Sequence, residues 1–283
     1  QVYKLDETSF PRYPLGWDQW LPALLDLVDY DSEGEELIFF VGEANYQEEL
    51  EKRGFKTSLQ ERQFGISATM IRENPSRYWK YIAQPFRRHF TKKVLIMGSA
   101  SNGKTTLAKD LARFYDAPVS LEYAREYQIQ NNVRDDELTP KDYYYLLLGQ
   151  YAQTSRLIDS NANRALVVAD TNSLVTKAYY DYYLKESPVQ DEETDTFDNL
   201  FASILAKEKW DLILFAEPVG AYVNDGFRDM SMADEAIRSD FSSYLKRLKE
   251  ECLAHIPTVY LAGSYLDNYQ AAKEAINKIY QAD

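Results

Sequence analysis

One octapeptide limits what this chain can fold into more than any other feature. Gly98-Ser99-Ala100-Ser101-Asn102-Gly103-Lys104-Thr105 satisfies G-x-x-x-x-G-K-[ST] at every fixed position. An apolar run, Val94–Gly98, precedes it and reads as a strand. An amphipathic run, Thr105–Tyr115, follows and reads as a helix with Leu107, Leu111 and Phe114 on one face. A strand that turns through glycines into a helix aims several backbone amides and the positive end of the helix dipole at one point, where phosphate oxygens are the natural guests. Gly98 and Gly103 allow the backbone to curl. Lys104 offers a point charge to the β- and γ-phosphates, and the Thr105 hydroxyl suits Mg²⁺. Ser101, Asn102 and Thr106 complete the expected phosphate-binding set. ATP with Mg²⁺ is therefore the expected cofactor pair.

Downstream, strands and helices alternate. Strands are expected at Val94–Gly98, Val119–Tyr123, Ala165–Ala169, Asp211–Phe215 and Thr258–Ala262, with helices filling the gaps. Thr139-Pro140-Lys141-Asp142 has the chemistry of a helix start, and that helix is expected to run to about Asn161. The pattern implies an α/β fold, a P-loop kinase with a parallel five-stranded sheet flanked by helices. Ligands of such sheets gather at the carboxyl ends of the strands. Asp170 closes the third strand and is placed to orient a magnesium shell, or else to cap the helix that follows. Glu122, at the end of the second strand, is a candidate to accept or orient the proton of an acceptor hydroxyl, with Arg125 positioned to tune it; the bland alternative is a surface ion pair. After the fourth strand, Asn224-Asp225-Gly226-Phe227-Arg228-Asp229 forms a loop whose Arg228 could neutralise a transferring phosphoryl group or simply lie in solvent. Glu186 to Asp198 carries six acids and no base and reads as a solvated loop.

The remaining composition mostly excludes. Lys plus Arg number 32 and Asp plus Glu 45, a net charge of −13 that argues against duplex nucleic acid as the main ligand. No run of about 18 apolar residues exists, so no membrane span is expected, and no signal peptide is visible at the start. Cys252 is the single cysteine and His89 and His255 the only histidines, which excludes an intrachain disulfide, disfavours a zinc site and points to a reducing, cytoplasmic setting. A homo-oligomer is compatible with the sequence. The 23 tyrosines are unusual; most suit amphipathic packing, and some are candidates to stack on a flat ligand ring. Residues 1–90 differ from the rest, with a helix from Trp17 to Val28, one strand at Leu37–Val41, a polar helix around Tyr46–Lys52 and a short helix over Arg77–Ile82. That is too little for a complete α/β domain, and the absence of an initiator Met agrees with a fragment. The expected division is 1–91 and 92–283.

Taken in order, Gly98–Thr105, Glu122-Tyr123-Ala124-Arg125-Glu126-Tyr127, Asp170-Thr171-Asn172 and Asp225-Gly226-Phe227-Arg228 resemble the nicotinamide riboside kinase domain of NadR-type proteins. Ile66-Ser67-Ala68-Thr69-Met70-Ile71-Arg72 resembles the I-S-x-T-x-x-R signature of nicotinamide mononucleotide adenylyltransferases, in which the serine and arginine help hold ATP. The resemblance implies a kinase preceded by the C-terminal part of a Rossmann-like nucleotidyltransferase domain, a partial one, since the family's H-x-G-H motif is found nowhere in the chain. Ser67, Thr69 and Arg72 are then relics here. It implies transfer from ATP to nicotinamide riboside, giving nicotinamide mononucleotide. A flat, cationic pyridinium ring suits tyrosine faces and carboxylates. Glu122, Tyr123, Arg125, Tyr127, Asn172 and Asp225 are the implied substrate contacts, with Tyr144 from the run Tyr143-Tyr144-Tyr145, and Gln150 for the carboxamide. Two other readings compete: another P-loop nucleoside kinase, and a nucleotide-sensing regulator without turnover.

Overall fold

The computed structural model describes residues 4–28, 34–61, 63–184, 190–219, 222–224 and 226–281. Asp225, a predicted substrate contact, and Glu186, the start of the predicted acidic loop, lie outside the described residues. The chain forms two compact units, Gln1–Ser67 and Ala68–Asp283.

In the first unit, helix α1 (Trp17–Leu25) is followed by strand β1 (Ile38–Val41), helix α2 (Ala44–Lys52) and strand β2 (Lys56–Leu59). The two strands pair in parallel, Ile38 opposite Lys56 and Val41 opposite Leu59, with α2 as the crossover. Trp17, Leu21 and Leu50 form its core, and Trp20, Phe39, Val41, Tyr46 and Phe55 pack around them. The other face of the pair is open, and Phe40 is 73% exposed. β2 corrects the expectation of a single strand: Lys56-Thr57-Ser58-Leu59 is too polar to announce itself, because an edge strand with at most partial burial needs no apolar run.

The second unit begins with helix α3 (Ala68–Glu73) and helix α4 (Gln84–Phe90) and continues into strand β3 (Lys92–Met97), helix α5 (Lys104–Phe114), strand β4 (Val119–Ser120), helix α6 (Tyr123–Asn131), helix α7 (Pro140–Asp159), strand β5 (Leu166–Asp170), helix α8 (Ser173–Leu184), helix α9 (Gln190–Leu205), strand β6 (Leu212–Ala216), helix α10 (Glu235–Leu253), strand β7 (Thr258–Leu261) and helix α11 (Tyr265–Gln281). The five strands form one parallel sheet in the order β4-β5-β3-β6-β7. Both faces are covered, so the central strands are apolar throughout rather than alternating. Val94 and Ile96 of β3 pack beneath α5 and α11 with Leu107, Leu111, Ala272 and Ile276. Leu95 and Met97 point the other way, into a core with Leu147, Leu174, Phe197, Phe215 and Phe241. Thr139 and Asp142 form the expected capping box of α7: the Thr139 N–H and hydroxyl donate to the Asp142 carboxylate at 2.7 and 2.6 Å.

Three expectations need correction. The second strand stops at Ser120, and Glu122 is the N-cap residue of α6 rather than the last residue of a strand. The acidic segment expected as a loop is largely the helix α9: Phe197, Phe201 and Ile204 bury on one side, so the acids Asp195 and Asp198 sit on an amphipathic helix, which charge counting alone cannot reveal. Phe114 is 54% exposed and lies under the Lys273 ammonium instead of joining Leu107 and Leu111.

The packing boundary falls at Ser67, earlier than the expected 91, because residues 75–91 bury side chains in the second unit. Trp79 is 8% exposed, packs with Ile82 and Ala165, and donates its indole N–H to the Asn163 carbonyl at 2.8 Å. Asn163 in turn donates to Thr91 Oγ1 at 2.7 Å. Trp79→Ala is therefore expected to destabilise the second unit by about 3–5 kcal/mol. Urea unfolding followed by circular dichroism checks this; a change below about 1 kcal/mol contradicts the anchoring role.

Candidate functional site

The phosphate loop fills the gap between β3 and α5 at the carboxyl edge of the sheet. Gly98 has φ +145°, and a Cβ there would lie 2.3 Å from the Ala216 carbonyl oxygen, so the loop fits against β6 only with glycine. Asn102 ties the loop down: its amide donates to Ser99 Oγ at 2.9 Å and to the Ala216 carbonyl at 3.2 Å. Lys104 is buried, and its ammonium donates to the Ser99 carbonyl within the loop at 2.7 Å. A phosphate entering the loop would take over this charge at little cost, since the amine is already desolvated and held in place.

Sheet register decides what stands beside the loop. Asp170 pairs with Ile96, so the end of β5 is level with the end of β3. The Thr105 hydroxyl donates to Asp170 Oδ2 at 2.5 Å, while Asp170 Oδ1 is buried without a hydrogen-bond partner. Burial pushes the Asp170 carboxyl up to about 6; Lys104 pulls it down and Glu122 pushes it up. Magnesium fits the chemistry of these residues: a hydroxyl and a carboxylate with one oxygen unpartnered among the described residues are the hard oxygen donors it prefers. No group of three or more potential metal-binding His, Cys, Asp or Glu side chains occurs among the described residues.

A cavity of about 290 Å³ opens from this corner. It is lined by Ser101, Asn102, Gly103, Lys104, Thr105 and Thr106 of the phosphate loop and α5, by Glu122, Arg125 and Asp135, and by Tyr143, Tyr179 and Tyr183. Glu122 is central: its charge raises the proton affinity of Asp170, Asp135 and Tyr179 alike. Burial pushes the Asp135 carboxyl up against the pull of the Asp229 N–H and the Gln128 amide. Burial also holds the phenols of Tyr143, Tyr179 and Tyr183 far above their ordinary value, so they stay neutral. Arg228 reaches the loop from above, its guanidinium donating to Ser101 Oγ at 2.7 Å and to the Val223 carbonyl at 2.9 Å. The Val223 N–H donates to the same Ser101 oxygen at 2.9 Å.

Several predicted contacts are placed elsewhere. Gln150 lines the cavity but is 2% exposed and engaged at both ends: its Oε1 accepts the Tyr123 N–H at 2.8 Å and its Nε2 donates to Ser120 Oγ at 3.3 Å. It holds the segment on either side of Glu122. Tyr123 and Tyr127 do not line the cavity. The Tyr123 ring lies where a side chain on Gly149 would stand, and Tyr127 donates its hydroxyl to Asp142 at 2.5 Å while stacking on Tyr145. Tyr144 meets Phe197 edge-on, and Tyr143 takes the cavity position instead. Asn172 is buried and donates to Glu208 at 2.8 Å. Tyr179, Tyr183 and Asp135 escaped the sequence reading. The two tyrosines continue a stripe Val175–Tyr179–Tyr183 at helical spacing on α8, a signal that was available; Asp135 carries none. Ser67 ends the first unit. Thr69 and Arg72 are exposed on α3, where the Arg72 guanidinium donates to Thr69 Oγ1 at 3.3 Å.

With its parallel sheet and phosphate loop the chain is a P-loop nucleotide-binding protein, and the AAA domain family matches it over residues 93–265. Two structures, of NadR protein in complex with NR and in complex with NAD and AMP-PNP, share 36% identity with it, cover 97% of it and 76% of their own chains, and superpose with TM-scores of 0.73 and 0.74. The chain belongs to the NadR family. The trifunctional NAD biosynthesis/regulator proteins NadR of Escherichia coli (strain K12) and Salmonella typhimurium (strain LT2) are each 29% identical to it, over 89% and 98% of its length. It spans 59% and 66% of theirs.

Asp170 also sets up a trade-off between stability and function. A carboxyl whose folded-state pKa is raised from 3.8 to about 6 lowers stability as pH climbs through that window, and the cost persists above it. Asp170→Asn keeps an acceptor for Thr105 and removes the buried charge. At pH 8 it is expected to melt at or above the wild-type temperature, a gain of about 1–3 kcal/mol, while its response to Mg²⁺ collapses. Differential scanning fluorimetry with and without Mg²⁺ and nucleotide checks both; an unchanged Mg²⁺ response removes Asp170 from the metal shell.

Proposed function

We propose that this chain transfers the γ-phosphoryl group of ATP to the 5′-hydroxyl of nicotinamide riboside, giving nicotinamide mononucleotide for NAD salvage. The observation that carries the reading is one cavity lined both by the phosphate loop, whose Thr105 is bonded to Asp170, and by two carboxylates and three tyrosines. Family membership supports it, as does the NR complex of a relative.

Each side chain then has a task. Lys104 and the loop amides grip the β- and γ-phosphates. Thr105 and Asp170 would hold magnesium, which supplies charge neutralisation on the phosphates when bound. Glu122 orients the acceptor hydroxyl and takes its proton. The hydroxyl oxygen attacks the γ-phosphorus, the bond from that phosphorus to the β–γ bridging oxygen breaks, and ADP departs with the electron pair. Arg228, held at Ser101, would neutralise charge on the transferring group. Tyr143, Tyr179 and Tyr183 offer neutral aromatic faces to the pyridinium, and Asp135 and Glu122 offset its positive charge. For Asp225 and Asn172, substrate contact rests on the resemblance alone.

The N-terminal unit belongs, in this reading, to an adenylyltransferase domain. Its parallel β1-α2-β2 unit supports that, as does the signature Ser67, Thr69, Arg72, which begins at its last residue and continues into α3. The net charge of −13 supports a small-molecule rather than a nucleic-acid ligand. No helix among the described residues is long and apolar enough to cross a membrane, and the single, free Cys252 suits a cytoplasmic setting.

ADP release measured with a coupled assay in the presence of nicotinamide riboside decides the main reading; release with pyrimidine nucleosides alone would favour a different nucleoside kinase. Lys104→Ala is expected to lower turnover by at least about a thousandfold in a folded protein, and Glu122→Gln to lower it strongly while nucleotide affinity stays near wild type. The 283-residue chain, given nicotinamide mononucleotide and ATP, is expected to form no NAD and no pyrophosphate; steady NAD formation refutes the remnant reading of Ser67, Thr69 and Arg72.

A further inference from the structure

Between α9 and β6 lies a carboxylate that no part of the proposed chemistry uses. Glu208 accepts four hydrogen bonds, all from donors: Asn172 Nδ2 at 2.8 Å, Ser173 Oγ at 3.0 Å, Trp210 Nε1 at 3.4 Å and the Ser173 N–H at 3.3 Å. Three of these four come from the turn that directly follows Asp170. Burial pushes the Glu208 carboxyl up, and the hydrogen bonds from Asn172, Ser173 and Trp210 pull against it.

That turn is a strained one. Thr171 has φ +80°, a left-handed conformation that a β-branched residue adopts only when its surroundings impose it, at a cost on the order of 1–3 kcal/mol. Thr171 is buried, its N–H continues the ladder to the Ile96 carbonyl at 2.9 Å, and its hydroxyl has no hydrogen-bond partner. The two residues that follow Thr171 are held by Glu208, 35 residues further along the chain from Ser173. Ser173 is the first residue of α8, so its N–H is one of the donors a helix start leaves unpaired, and Glu208 supplies both the acceptor and the negative charge that the helix dipole favours.

We propose that Glu208 is a positioning residue: by clamping Asn172 and Ser173 it fixes the turn that aims Asp170 at Thr105 and the start of the helix that presents Val175, Thr176, Tyr179 and Tyr183 to the cavity. The inference rests on the metal-binding reading of Asp170 given above. It joins the nucleotide end and the acceptor end of the site through one half-buried glutamate that does not line the cavity. Removing the clamp should loosen Asp170 while leaving the phosphate loop, which is built from β3, α5 and Ala216, as it is.

The test measures binding of the non-hydrolysable analogue AMP-PNP by calorimetry, with and without Mg²⁺, to wild type and to Glu208→Gln. The glutamine keeps the shape but turns an amide N–H₂ toward donors. Without Mg²⁺ the affinity is expected to stay within about twofold of wild type; the gain in affinity that Mg²⁺ confers is expected to shrink by roughly tenfold, the usual scale for groups that orient a metal ligand. A folded Glu208→Gln protein with the full Mg²⁺ gain overturns the proposal, as does an equal loss with and without Mg²⁺, which marks general damage. Should Glu208→Gln fail to fold, Asn172→Ala removes one clamp bond and leaves the carboxylate in place; a smaller Mg²⁺-selective loss supports the proposal and an unaltered Mg²⁺ gain sinks it. Because the measurement involves no acceptor nucleoside, failure of nicotinamide riboside as substrate leaves this outcome readable.

Discussion

The hydrogen bond from Thr105 to Asp170 is the contact on which the rest of the site depends. It joins the first turn of α5 to the last residue of β5, two points 65 residues apart that meet only because β3 and β5 are parallel neighbours in register. The carboxylate there is 0% exposed, and burying a charge is costly unless something makes use of it. One oxygen accepts a hydrogen bond from the Thr105 hydroxyl; the other has no partner among the described residues. A buried acid left half satisfied beside a lysine and a phosphate loop costs stability, the mark of a group kept for something other than the fold.

Around this corner, α7 acts as a spine. Gln150, Gln153 and Thr154 bond to Ser120 and Leu121, and so fix the short connection from β4 to α6 that carries Glu122. Gly149 leaves space for the Tyr123 ring, which lets α6 lie close against α7. On the other side Asp135 gathers the loop that bears Arg228: its carboxylate accepts the Asp229 N–H at 3.1 Å, and its own N–H donates to the Phe227 carbonyl at 3.0 Å. Ser101 closes the ring by accepting from both Val223 and Arg228. Glu122, Arg228 and the phosphate loop come from three separate stretches of chain, and each is held by hydrogen bonds to a neighbour rather than by its own local structure.

Where the sequence misled, the misleading had a local cause. β2 is an edge strand of polar residues, and α9 exposes Asp195 while it buries Phe197, Phe201 and Ile204. Tyr144 was chosen over Tyr143 from three consecutive tyrosines, a choice that depends on the rotation of α7 about its own axis. Helical rotation is set by what packs against the helix, here Phe197 from α9 and Tyr180 from α8.

Residues 98–105 alone determined that this chain binds a nucleoside polyphosphate, since loop curvature, lysine charge and helix dipole are local consequences of local sequence. The alternation of apolar strands with amphipathic helices likewise determined a parallel sheet covered on both faces, because hydrophobic periodicity records which faces must be buried. Only the tertiary structure decided which side chains share the cavity. Asp135, Tyr179 and Tyr183 enter it, Tyr123, Tyr127 and Tyr144 do not, and Asn172 turns to Glu208 instead. Those outcomes depend on contacts between segments tens of residues apart, and on buried polar groups finding partners in three dimensions, which no single stretch of sequence encodes.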